Sequence, residues 1–154
     1  RYRPSMEAMM RRIRNQNYLQ PRNSGVDLNN FFSLQYEIPV GLYDLSHVDG
    51  DVQIVLGSGE TTYTGINGRE NTLSGILSVE DATGPFGSPY VDSIRTTVKE
   101  TTIDGLQIFF LQPSTSQEDA IKLIDSAGKM FVQVNGGSYI TTLLDMEHPQ
   151  ASFE

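Results

Sequence analysis

Leu106-Gln-Ile-Phe-Phe-Leu111 is the most apolar run of the chain, and the fold is read outward from it. It is short, rich in aromatic and β-branched residues, and stopped by Pro113, which favours a buried strand over a helical segment. Ser116 follows as a hydroxyl N-cap, with Glu118 and Asp119 in the first turn, where acids satisfy free N–H groups and complement the helix dipole. Ala120, Ile121, Leu123, Ile124 and Ala127 then recur at helical spacing. Gly128 suits a left-handed helix stop, and Lys129 suits a helix C-terminus. The spacing predicts one packed helix over about 116–128. Beyond it, 130–134 and 138–144 read as strands around Asn135-Gly-Gly137, a hairpin signal because Asn and Gly tolerate positive φ.

The same signal recurs upstream. Asp49-Gly50, Asn67-Gly68 and Asp104-Gly105 each separate β-prone runs. Strands are expected over 31–38, 42–48, 52–56, 61–66, 69–79 and 93–103. The expected class is therefore mainly β: an antiparallel β-sandwich or β-barrel carrying one packed helix and an N-terminal amphipathic helix. The stretch 81–90, with Pro85, Gly84, Gly87 and Pro89, breaks the pattern. Phe86 within it is either a core residue or a contact residue.

The chain has 154 residues, the size of one domain. It has no cysteine, which excludes disulfides and Cys-ligated metals. No run approaches a membrane span, and no secretory signal opens the chain. The start at Arg1 rather than Met reads as processing, truncation or renumbering.

The net charge of −8 conceals an asymmetry. Residues 1–22 hold Arg1, Arg3, Arg11, Arg12, Arg14 and Arg22 against a single acid, Glu7; the rest of the 11 cations and 19 acids leaves five against 18. Ser5 and Glu7 suit a helix start, and Met6, Met9, Met10 and Ile13 share one face opposite the arginines. The division expected is a basic helical arm (1–22), a polar linker (23–30), a β-rich domain (31–144) and a tail (145–154). The arm's apolar anchors are Met6, Met9, Met10 and Ile13, its charge partners Arg11, Arg12 and Arg14, and Phe86 joins them as a candidate contact. Such an arm packs on its own domain, on a neighbouring subunit, or on nucleic acid or membrane.

Chemistry is sparse. His47 and His148 lack a recognisable catalytic surround, and no Gly-x-Ser-x-Gly elbow is present. Asp44, Asp49 and Asp51 cluster near one turn without an EF-hand pattern, so they read as turn residues rather than a metal site. Glu80 and Asp81 are neighbours in a strand and point opposite ways. Gly57-Ser-Gly-Glu60 lacks the Lys-Ser/Thr of a phosphate loop. No cofactor is expected, and the chain reads as non-enzymatic.

Ser152-Phe153-Glu154 resembles the small-x-Glu sites cut by maturation proteases of large tailed bacteriophages, although ordinary truncation ends a chain there equally well. An acidic β-barrel with one helix is similar also to phage tail-tube subunits, at the level of fold. These resemblances imply a structural subunit of a virion, capsid or tail, whose arms contact other copies or other proteins, with nucleic acid touched only through the N-terminal arm and no membrane contact. Two alternatives stand beside it. One is a β-sandwich binding a carbohydrate or protein through Tyr43, Tyr63, Phe86 or Tyr90, which requires those aromatics on a rim. The other is a hydrolase using His47 with Asp44 or Asp49.

Overall fold

The structure is a computed structural model that describes residues 3–153. It divides into two compact units, one ending at Phe110 and one beginning at Leu111. The first contains helices α1 (Ser5–Arg14) and α2 (Ser24–Tyr36) and strands β1 (Val40–Asp44), β2 (Gln53–Leu56), β3 (Thr62–Thr64), β4 (Glu70–Thr72), β5 (Leu77–Glu80), β6 (Pro85–Gly87) and β7 (Gly105–Phe109). Single 3-10 turns lie at Leu45–His47 and Ile94–Thr96. The second unit contains α3 (Gln117–Asn135).

All strand pairs are antiparallel, in three small sheets: β1–β7, β2–β5–β6 and β3–β4. The antiparallel, β-rich expectation holds, as do the helix capped by Ser116 and the N-terminal helix. Helices take a larger share than expected, and the class is α+β.

The main departure is α2. Residues 23–30, read as a linker, and all but the last residue of 31–38, read as a strand, are one helix with its caps. Asn23 accepts from the Val26 N–H at 2.9 Å, and Asp27 sits in the first turn. Glu37 closes the helix in a left-handed conformation, φ 57°. The buried residues Asn29, Phe32 and Ser33 recur at i, i+3 and i+4, a helical face that the aromatic density of 31–36 disguised as a strand. Phe32 packs against Tyr36 and against Phe109 of β7. Asn29 ties both strands to the helix: its amide donates to the Val40 carbonyl at 3.0 Å, and its oxygen accepts from Gln107 at 2.9 Å.

Only one of the four Asn-Gly or Asp-Gly turns joins two paired strands. Asn67-Gly68 links β3 to β4, with Gly68 at φ +74°. Asp49-Gly50 turns the chain between β1 and β2, which pair elsewhere. Asn135-Gly136 ends α3 rather than opening a hairpin, so 130–134 is helical and 138–144 is not a strand. Nor does Gly128 end the helix. A Cβ there would fall inside the Tyr139 ring, so this glycine serves a close approach in mid-helix. Tyr139 then donates to Asp125 at 2.8 Å.

The first unit's core centres on Tyr43, Val79 and Phe86, all fully buried, with Val48, Leu106, Ile108 and Phe110 packed around them. Tyr43 and Phe86 meet edge to face, centroids 5.0 Å apart. The Tyr43 ring lies over Gly41 of its own strand and Gly87 of β6, and a Cβ on either glycine would fall inside it. Neither glycine has a positive φ, so the constraint is steric. We expect Gly41→Ala or Gly87→Ala to cost about 1–3 kcal/mol through overpacking. Gly59, with nothing within 4 Å of an added Cβ, is the matched control. Urea unfolding of the three variants checks this; equal midpoints for all three would disprove the steric clasp.

Candidate functional site

At the C-terminal end of β1 two buried carboxylates organise the loops. Asp44 is 4% exposed. Its Oδ1 accepts from the Ser46 N–H at 2.9 Å and the Ser46 hydroxyl at 2.6 Å, and its Oδ2 accepts from the Thr102 hydroxyl at 2.7 Å. These donors, Ser46 first, hold the carboxyl below its ordinary range despite burial. His47 Nδ1 approaches Asp44 Oδ2 at 3.4 Å. The imidazole is half exposed, and with Nδ1 facing Asp44 its other nitrogen remains for solvent or a ligand.

Asp81 is the second anchor. Arg95 donates to it through both terminal nitrogens, at 2.8 and 2.9 Å. The N–H groups of Asp49, Thr83 and Gly84 add to it at 2.8, 3.0 and 3.1 Å. The Arg95 guanidinium also donates to the His47 and Gly84 carbonyls and lies 5.6 Å over the Phe86 ring. It is thereby committed to the fold, and it binds the Leu45–His47 turn to the 81–84 turn. The pairing drives the Asp81 carboxyl far below the usual range, Arg95 being the largest cause.

A third acid has the opposite character. Burial pushes Asp92 up to about 7. It faces the Tyr43 hydroxyl, which has no partner of ordinary hydrogen-bonding geometry and whose own acidity is suppressed by burial and by Asp92. Alongside, the Tyr63 hydroxyl meets the Val91 carbonyl and the Ser88 hydroxyl.

The remaining candidates separate. Phe86 is core, with no exposed surface, which removes it as a contact residue. Tyr43 and Tyr63 are buried too, and only Tyr90 of the four proposed rim aromatics keeps partial exposure, so no aromatic binding rim forms. Met6, Met9 and Met10 are half-buried on α1, which packs on α2; Ile13 is 37% exposed; Arg11, Arg12 and Arg14 are exposed. In the proposed hydrolase arrangement, the Ser46 and Thr102 hydroxyls both donate to Asp44 rather than to His47, and Asp49 accepts from Thr83. Among the described residues, no group of three or more His, Asp or Glu gathers to hold a metal. Sequence reasoning missed Arg95 and Asp92, and it weighed Asp81 only as a neighbour of Glu80 at a strand end, whereas the structure buries it. Arg95 had one available signal, as one of only two arginines outside the first 22 residues.

The sequence profile of the B3/4 domain matches residues 1–126, from the N-terminal helix into α3, with the whole polar cluster inside it. The chain belongs to the B3/4 domain family. This B3/4 chain is 31% identical over 134 residues to uncharacterized protein YhzB of Bacillus subtilis (strain 168), an alignment that covers 87% of the chain and 58% of that protein. It is also 35% identical over 68 residues to the phenylalanine–tRNA ligase beta subunit of Paramagnetospirillum magneticum, and 33% identical over 72 residues to that of Shewanella oneidensis. These alignments take 44% and 42% of the chain but only 8% and 9% of the ligase subunits. The B3/4 chain thus spans less than two thirds of each of these relatives.

Membership in this family overturns the virion reading, capsid and tail alike. No helix among the described residues is long and apolar enough to cross a membrane.

Proposed function

We propose that this B3/4 domain is a tRNA-associated binding module, which engages tRNA without transforming it. The observation that carries the reading is the family match over residues 1–126, together with the stretches shared with two phenylalanine–tRNA ligase beta subunits. The rim around His47 is the candidate ligand-facing point, because its imidazole is half exposed and oriented by a buried carboxylate. Binding is favoured over catalysis by the hydroxyls that could serve as nucleophiles, since Asp44 engages both.

The test is a titration of the full chain against labelled deacylated tRNA at about 50 mM salt, where phosphate contacts are strongest. Saturable binding, competed by unlabelled tRNA more effectively than by duplex DNA of equal charge, is the expected result. No binding, or equal competition by DNA, overturns the tRNA reading. Incubation with aminoacylated tRNA addresses the other half: the amino acid should stay attached, and its release in the presence of the protein would overturn a purely binding role.

A further inference from the structure

We infer that helix α1 is a phosphate-contacting element, its Arg11, Arg12 and Arg14 tracking an RNA backbone. The inference rests on the tRNA reading and names the surface that would serve it. Three observations converge on this helix. It is held in place from its other side: Met6, Met9 and Met10 are half-buried where α1 packs on α2, and the Ser5 N–H donates to the Pro89 carbonyl at 2.9 Å. The arginines are exposed, and among the described residues none has an ion pair or a side-chain hydrogen bond. Lastly, they lie in a protein with 18 acids outside its first 22 residues, and no described acid folds back on them.

The helix dipole accounts for cations in the last turn, where Arg11, Arg12 and Arg14 sit. It does not account for three of them on a helix whose single acid, Glu7, lies one turn before Arg11 and forms no ion pair with it. Arg11 and Arg14, at i and i+3, repel one another, and an anion seated between them would relieve that repulsion. Arginine's planar fork matches phosphate oxygens two at a time. Tyr18, 59% exposed, follows the helix and offers a ring to an unpaired base. The other occupant such a face could take is the acidic body of a second copy. The RNA is favoured because the family's other members here include tRNA ligase subunits.

The experiment compares the full chain with R11E/R12E/R14E, a triple variant, in titrations against deacylated tRNA over a salt series. All three side chains are exposed, so the fold should survive, and a circular dichroism melt confirms it. R11Q/R12Q/R14Q, which removes charge without reversing it, is the second variant. The expected result is at least tenfold weaker binding for the reversal. For the neutral variant, the plot of log K against log salt should be shallower by about 2–3, since each phosphate left unneutralised removes about 0.7–0.9 from the slope. If wild type binds tRNA and both variants bind it with the same affinity and slope, this inference falls while the tRNA reading stands. If wild type binds no tRNA, both fall. Light scattering in parallel covers the competing occupant: salt-sensitive self-association that disappears in the triple variants, without a change in tRNA affinity, assigns the face to a second copy and overturns the proposal.

Discussion

Arg95→Ala is expected to destabilise the protein by about 3 kcal/mol, the low end of what breaking a buried ion pair costs. The low end applies because the Arg95 side chain keeps 30% of its surface in solvent, whereas the Asp81 side chain keeps none. Removing the guanidinium leaves Asp81 buried with only backbone N–H partners and frees the His47 and Gly84 carbonyls. Arg95→Lys should recover part of the loss, since an ammonium cannot span both carboxylate oxygens. The sign of the pH dependence follows from Asp81. Its folded-state pKa lies far below the ordinary 3.8, so the unfolded chain takes up the proton first. The stability it contributes is therefore present above about pH 4 and lost as pH falls towards the folded value. In Arg95→Ala, burial without a cation raises the same group, and acid should relieve rather than worsen the defect. Urea unfolding between about pH 3 and 7 checks both statements. A wild-type acid slope retained unchanged in Arg95→Ala would show that Asp81 owes its low pKa to the backbone alone.

Asp92→Asn should act in the opposite direction. Burial holds Asp92 at about 7 in the folded protein against an ordinary 3.8, so between those values the native state carries the extra proton. Wild-type stability contributed by this group is full below about pH 4, declines as pH rises, and is lost once pH passes about 7. The full linkage has a ceiling of about 4 kcal/mol at 1.36 kcal/mol per pKa unit. Asp92 retains a partial opening to water, and screening there lowers the realised effect to about 1–2 kcal/mol. Asn imitates the neutral carboxyl. The variant should match wild type at about pH 4 and exceed it at about pH 8, in thermal melts at both values. Equal destabilisation at both would mean that the Tyr43 hydroxyl depends on a charged acceptor.

The locations of these residues illustrate what a sequence can and cannot display. Local signals were legible: the Ser116 cap, the Asn67-Gly68 hairpin and the N-terminal helix all stand where chain-neighbour chemistry put them. Asn23 was equally a cap, but Gly25 and its polar neighbours looked like a loop, and the Phe31-Phe32 pair looked like a strand. Gly128 carried the composition of a helix stop and the function of a docking gap, a distinction that only Tyr139 settles. The polar cluster was out of reach for another reason. Asp81 meets Arg95 across 14 positions and Asp49 across 32, while Thr102 reaches Asp44 across 58. No local pattern encodes such separations. Family membership, too, is spread over 126 residues rather than condensed in a motif.

The register of β1 with β7 bears on how this molecule is born. Val40 pairs with Phe109 and Asp44 with Gly105, partners that are 69 and 61 positions apart. On a ribosome adding about 5–20 residues per second, β1 emerges about 3–14 s before its mate is made. During that interval Leu42 and Tyr43, buried in the finished protein, have no strand to lie against. Of the elements made earlier, α2 packs on β1 in the finished protein, where the Asn29 amide donates to the Val40 carbonyl. The helix hidden in an apparent linker is thus the neighbour available to cover β1 before β7 is made.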